Sequence, residues 1–191
     1  MIIYLHGFRS SPASRKATML REAMAARGGV NEYLCPALPA SPARAIEETG
    51  RLVQGIAPER LALIGSSLGG YYATWLAEQF GCRAVLLNPA IRPQDDLAKQ
   101  LGVQPVYFSD ASIDFRREYL AELEAIDTPK ITRPDRYLLI AATGDAVIDY
   151  RAMRRKYAGA RQIVVEGSDH ELSDFANYMD DVLEFCSQSR S

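Results

Sequence analysis

The chain has 191 residues, 48% hydrophobic and 24% charged, with 22 Lys and Arg against 24 Asp and Glu for a net charge of −2. This balance suits one globular domain over 1–191, and without a basic patch or Lys/Arg run nucleic acid is not an expected partner. No apolar stretch reaches the length of a membrane span, the first residues lack the charged and apolar regions of a secretory signal, and three widely spaced cysteines (Cys35, Cys82, Cys186) with no Cys-x-x-C pair or Cys/His cluster imply no metal site and fit a reducing, cytoplasmic compartment.

In chain order, Ile2–Leu5 opens the chain as an apolar run with strand character. A helix is expected over Ser14–Arg27, where Ala17, Leu20 and Met24 share a face and Gly28-Gly29 offers a stop. Val30–Leu34 reads as a second strand. Ser41-Pro42 supplies an N-cap followed by proline at the first helical position, ahead of a stripe of Ile46, Thr49, Val53 and Ile56. Leu61–Ile64 and Ala84–Leu87 are further strands, separated by a helix-like segment. The long interval from Leu87 to Arg136 holds two expected short helices, near Gln94–Leu101 and Asp114–Ile126, with aromatics Tyr107, Phe108, Phe115 and Tyr119. That interval exceeds an ordinary strand–helix connection and reads as an insertion over about 91–133, either a cap above the site or a helical insertion packed on the sheet edge, the cap being favoured. Strands Tyr137–Ala142 and Gln162–Val165 follow, with helices at Tyr150–Ala158 and Leu172–Phe185 and a polar tail at Ser187–Ser191. The strand runs are near-continuously apolar rather than alternating, the pattern of strands covered on both faces. Alternation of such strands with helices predicts an α/β fold of about six mostly parallel strands, with helices on both faces.

Between Leu61–Ile64 and the following helix lies Gly65-Ser66-Ser67-Leu68-Gly69, a G-x-S-x-G sequence in a strand–turn–helix setting. Such a turn lifts its central serine, Ser67, above the sheet, and the helix start behind it offers free N–H groups to a developing oxyanion. A phosphate-loop pattern is absent. A serine nucleophile needs a base, and the base an orienting acid. Only His6 and His170 are available. His170 follows the last strand and fits the chain order Ser, acid, His. His6 lies at the end of the first run and reads as a residue shaping the loop beside the site. For the acid, Asp145 in Thr143-Gly144-Asp145 is favoured over Asp149, which reads as the start of the next helix, and over Asp169, whose neighbour in sequence is His170 itself. The oxyanion donors are expected to be the backbone N–H groups of Leu68, after the nucleophile, and Phe8, in the His6-Gly7-Phe8 loop.

The segments YLHGFRSSP (4–12), LIGSSLGGYYATWLAE (63–78), LLNPAIRP (86–93), TGDAVIDYR (143–151) and EGSDHE (166–171) resemble an α/β-hydrolase, and more narrowly the YqiA-like family of small bacterial esterases. The resemblance spans nearly the whole chain and implies a compact α/β-hydrolase fold lacking the first two strands of the larger fold. It implies esterase activity, extending to thioesters such as acyl-CoA, with Ser67, Asp145 and His170 as the triad and no cofactor. The expected partner is a small ester or thioester substrate. A serine peptidase or amidase, and a non-catalytic hydrolase-like binding protein, are the alternatives.

Overall fold

The computed structural model describes residues 1–107 and 109–188. Phe108 and the last residues of the tail, 189–191, lie outside the described residues. The strands are β1 (Ile2–Leu5), β2 (Tyr33–Leu34), β3 (Ala62–Ser66), β4 (Arg83–Leu87), β5 (Gly102–Pro105), β6 (Ser112–Phe115), β7 (Tyr137–Ala142) and β8 (Arg161–Val165). The helices are α1 (Arg15–Ala26), α2 (Pro42–Val53), α3 (Leu68–Phe80), α4 (Pro93–Leu97), α5 (Glu118–Ala125), α6 (Tyr150–Lys156) and α7 (Met179–Ser187). Six strands form one parallel sheet in the order β2-β1-β3-β4-β7-β8. β5 and β6 pair separately as an antiparallel hairpin.

Apolar side chains on both strand faces explain the two-sided covering. Ile3, Leu5, Leu63, Leu86, Leu139 and Ala141 point to one side, where α2, α3, α5 and α6 bury Ile46, Tyr71, Leu76, Leu123 and Met153 against them. Ile2, Tyr4, Ile64, Val85, Leu138 and Ile140 point to the other, under Leu20 and Met24 of α1 and Val182 and Phe185 of α7. The chain runs outward from β1 to β2 in one direction and from β3 onward in the other. The direction of winding therefore reverses between β1 and β3, and an α/β sheet leaves a crevice at the carboxyl ends of such strands.

Four segments differ in extent from the sequence expectation. The strand expected at Val30–Leu34 contracts to Tyr33–Leu34, with a 3₁₀ turn over Val30–Glu32. Val30 is exposed at this sheet edge, with little apolar surface to pair against. The helix expected at Asp114–Ile126 starts only at Glu118; Ser112–Phe115 is β6, because Ile113 and Phe115 alternate with exposed Ser112 and Asp114 at a period of two. The helix near Gln94–Leu101 ends at Leu97, and Gly102, at φ +92°, turns the chain into β5. The helix expected over Leu172–Phe185 is delayed because Leu172, at φ +47°, is turned inward and buried; a 3₁₀ turn over Phe175–Tyr178 precedes α7.

Candidate active site

Strand ends deliver every residue of the site. Ser67 follows β3 directly and precedes α3, at φ +53° and ψ −119°. A β-carbon-bearing residue at positive φ is strained and persists only where its surroundings hold it. Here Ser67 N–H donates to Leu87 O (3.0 Å), and Ser67 O accepts from Ala90 N–H (3.0 Å) and Gly70 N–H (2.9 Å). The glycines of the motif permit the close approach. A β-carbon on Gly65 would lie 2.2 Å from Gly69 O, and one on Gly69 would lie 2.0 Å from Leu5 O. Both obstacles are backbone, so the elbow can nest against β1 only without those side chains.

His170 lies in the loop after β8, and Asp145 in the loop after β7. The structure brings them to Ser67 in one hydrogen-bonded chain. His170 Nε2 is 3.0 Å from Ser67 Oγ, and His170 Nδ1 is 2.7 Å from Asp145 Oδ2. A carboxylate only accepts, so Nδ1 carries the proton toward Asp145 and Nε2 is left to accept from the serine hydroxyl. The Asp145 side chain is fully buried. Its second oxygen accepts from Val147 N–H and Ile148 N–H, both 2.8 Å, so three hydrogen bonds fix the carboxylate. Thr143 seats this loop against that of the histidine: its N–H extends the ladder to Val165 O (2.8 Å), and its Oγ1 accepts from Gly167 N–H (2.9 Å). Asp149 stands apart, capping α6 by accepting from Arg151 N–H at 2.9 Å. Asp169 likewise turns away from the histidine ring and accepts from Ser173 N–H and Oγ–H.

The loop after β1 lies against the elbow. A β-carbon on Gly7 would lie 3.3 Å from Ser67 Cβ. Leu68 is the first residue of α3, so its N–H has no acceptor within the helix. His6 is buried and bonds backbone: Nε2 accepts from Leu38 N–H (3.2 Å), and Nδ1 donates to Gly7 O (3.0 Å). Burial holds its pKa below the ordinary value of 6.5, with the Gly7 bond opposing, so the ring is neutral. Arg9, at φ +60°, clasps the β5–β6 hairpin. Its Nε donates to Pro105 O (2.8 Å), its carbonyl accepts from Tyr107 N–H (2.7 Å), and its guanidinium lies 4.5 Å over the Tyr107 ring. Phe8 stacks edge-on against Phe115 of β6 at 5.1 Å.

Between loop, elbow and hairpin lies a small cavity of about 30 Å³, lined by Gly7, Phe8, Leu68, Leu38, Tyr72 and Ile113 among others. Tyr72 is buried, and burial raises its phenol pKa, so it lines the cavity as a neutral phenol. A broader, open hollow of about 480 Å³ lies on the far side of Asp145, between Thr143 and Arg151. Among the described residues no cluster of three or more His, Cys, Asp or Glu could hold a metal ion, and no helix is long and apolar enough to cross a membrane.

Two residues beside the site went unnoticed in the sequence. Asn88, at the end of β4, is fully buried, and Lys16 of α1 is nearly so. Asn88 had a signal: a polar residue between a buried strand and a proline in Leu86-Leu87-Asn88-Pro89. The signal for Lys16 was a charge at i−4 from Leu20, on the helix's buried stripe.

A serine at positive φ on a β3–α3 elbow, joined to a histidine and a buried aspartate at the carboxyl ends of a parallel sheet, belongs to the α/β-hydrolase fold. Solved structures agree on the fold. An esterase domain from a Rhodothermus marinus protein superposes with a TM-score of 0.70 at 18% identity, covering 98% of this chain and 86% of that one. A candidate hydrolase of Agrobacterium vitis S4 gives 0.75 at 20%, covering 97% and 87%, and a monoacylglycerol lipase of Paleococcus ferrophilus gives 0.69 at 15%, covering 97% and 93%. Within this fold the chain belongs to the family described as Uncharacterised protein family UPF0227, whose pattern matches residues 1–187. UPF0227 proteins of Yersinia pseudotuberculosis and Yersinia pestis are 22% identical over 187 residues, covering 97% of this chain and 98% of theirs.

Proposed function

We propose that this chain is a serine esterase that hydrolyses short-chain carboxylic esters, and thioesters of the same acyl groups, through an acyl-enzyme. The observation that carries the reading is the chain from Ser67 Oγ to His170 (3.0 Å) and on to Asp145 (2.7 Å). Ser67 Oγ attacks the ester carbonyl while His170 Nε2 takes its proton. The resulting oxyanion accepts from the N–H groups of Leu68 and Phe8. The intermediate collapses as the C–O or C–S bond breaks, and His170 returns the proton to the leaving alcohol or thiol. Water, deprotonated by His170, then attacks the acyl-enzyme, releasing the carboxylic acid and regenerating Ser67 Oγ–H. Asp145 holds the imidazole in the required tautomer and stabilises its cation.

The cavity beside Gly7, Phe8 and Leu68 is the acyl pocket. Its small size, about 30 Å³, supports short acyl chains over long ones. Residues 91–133 act as a cap on a single domain, a role supported by Ile113 in the pocket lining and by Phe115 against Phe8. The sequence's three widely spaced cysteines, odd in number and without a Cys-x-x-C motif, support a cytoplasmic location.

A panel of p-nitrophenyl esters and acyl-CoAs from two to twelve carbons tests this reading. Turnover should be greatest at two to four carbons and fall steeply beyond. Ile113→Ala should move the optimum to longer chains, because the pocket wall recedes. A folded wild type inactive on every member would contradict the esterase reading and favour a ligand-binding protein.

A further inference from the structure

The carboxyl end of β4 bonds to the three segments that carry Ser67, Asp145 and His170. Leu87 O accepts from Ser67 N–H, and the next residue, Asn88, reaches the other two partners with one side chain. Asn88 Oδ1 accepts from Ala142 N–H (2.8 Å), on the strand that leads into Asp145. Its Nδ2 donates to Asp169 O (2.9 Å) and to His170 O (3.0 Å). Asn88 is wholly buried and sits at φ +41°, a conformation asparagine tolerates better than most residues. From the opposite direction, Lys16 Nζ donates to Glu171 O and lies 3.2 Å from Glu171 Oε2. Three successive carbonyls of the histidine loop, 169 to 171, are therefore held by two buried side chains. The loop lies beyond the end of β8, where the sheet no longer supplies donors; its own turn adds one bond, from Leu172 N–H to Asp169 O (3.0 Å), and the two side chains supply the others.

We infer that Asn88 and Lys16 are positioning residues that fix the His170 loop, and thereby the imidazole, between Ser67 and Asp145. This inference rests on the serine-esterase reading above. Neither residue touches the reacting atoms. Each acts through the backbone that carries His170, so its loss changes the rate of the proton-transfer steps and leaves binding in the acyl pocket intact.

The test compares Asn88→Gly, which tolerates the positive φ, with Lys16→Met. Ser67→Ala serves as the reference for the mechanism, and Tyr137→Phe as a destabilised variant remote from the site. Kinetics are run on p-nitrophenyl acetate well below each unfolding midpoint. A displacement of the base of about 1 Å lowers rate by about 100-fold, so Asn88→Gly should lose 10- to 100-fold in kcat with KM within about twofold. Lys16→Met should show a smaller loss of the same kind, and Tyr137→Phe none. A proton spectrum adds a reading independent of turnover: the low-field Nδ1–H resonance of the Asp145–His170 bond, assigned by its loss in His170→Ala, should broaden or vanish in Asn88→Gly and persist in Tyr137→Phe. If Asn88→Gly does not fold, Lys16→Met decides the matter by the same two measurements. Folded Asn88→Gly and Lys16→Met with wild-type kcat, alongside an inactive Ser67→Ala, would overturn the positioning role and leave the esterase reading standing. If Ser67→Ala is itself fully active, the esterase reading fails. The resonance then decides the clamp alone: retained in Asn88→Gly it refutes positioning, and lost it supports it.

Discussion

Phe115→Leu tests the link between the hairpin and the loop that carries the Phe8 amide. Phe115 is 1% exposed and makes two edge-on ring contacts, with Phe8 at 5.1 Å and Tyr119 at 5.6 Å. Leucine keeps most of the volume and removes both contacts. Each aromatic pair contributes about 0.5–1.5 kcal/mol beyond area burial, so the loss is about 1–3 kcal/mol. For a chain of this length each kcal/mol moves the midpoint by about 2–4 °C, which gives a fall of roughly 2–12 °C in a thermal melt. The loop should suffer beyond this general loss, because Phe8 is held to the hairpin by its own ring and by the Arg9–Tyr107 clasp next to it. Removing an oxyanion donor outright costs about 3 kcal/mol in the barrier, and a loosened one should cost about a third to a half of that, or roughly 10-fold in kcat. The assay is initial-rate hydrolysis of p-nitrophenyl acetate at 20 °C, run beside Phe8→Leu and the double variant. The two substitutions should couple by about 0.5–1.5 kcal/mol in stability. A Phe115→Leu protein that melts lower but turns over at the wild-type rate would refute the idea that the hairpin positions the Phe8 amide.

Other predictions bear on packing and pH. Gly69→Ala places a β-carbon 2.0 Å from Leu5 O, a backbone atom that cannot yield without moving β1, so this variant should melt far below wild type or be recovered insoluble. His6 is neutral when folded and its pKa is lowered by burial; the unfolded chain binds the extra proton first as pH falls below about 6.5. Its contribution is thus fully present above that pH and is lost as pH falls toward the folded value, where the protonated ring can no longer accept from Leu38 N–H. Denaturant midpoints measured from pH 7.5 to 5 should drop more in wild type than in His6→Gln. Glu78 works at the opposite end of the sheet. Burial raises its pKa, but hydrogen bonds from Thr132 and Tyr137 outweigh this and hold it below the usual carboxylate range. That depressed carboxylate stabilises the fold above its unfolded pKa of about 4.5 and ceases to do so as pH falls through the folded value, so Glu78→Gln should flatten the stability profile below about pH 5.

How much could be read beforehand follows from the range over which each feature is encoded. The sheet strands are short apolar runs whose neighbours also bury both faces, so local composition located β1, β3, β4, β7 and β8 to within two residues at either end. Gly65, Ser67 and Gly69 announce the elbow because its strain is confined to a few consecutive residues. His170 was favoured over His6 by chain order, and Asp145 over Asp149 and Asp169 by its place after the strand; the structure brings the two side chains within 2.7 Å. The hairpin was not, because the Phe115, Tyr119 and Leu123 spacing mimics a helical stripe. Its strand pairing, Gln104 opposite Ile113, is set by a contact between separate segments. Asn88 and Lys16 escaped for the same reason. Their partners lie 54 to 155 residues away in sequence, and no local pattern says that a buried asparagine will hold a distant loop.

The central claim is that Ser67 is a nucleophile activated by His170. Intact-mass spectrometry after brief exposure to a fluorophosphonate, followed by peptide mapping, tests it without any assumption about substrate. The account predicts a single stoichiometric adduct on the peptide containing Ser67. Labelling should disappear in Ser67→Ala and slow by at least about 1,000-fold in His170→Ala. Wild-type protein that remains unlabelled, or labelling of Ser67 that proceeds equally fast without His170, would contradict it.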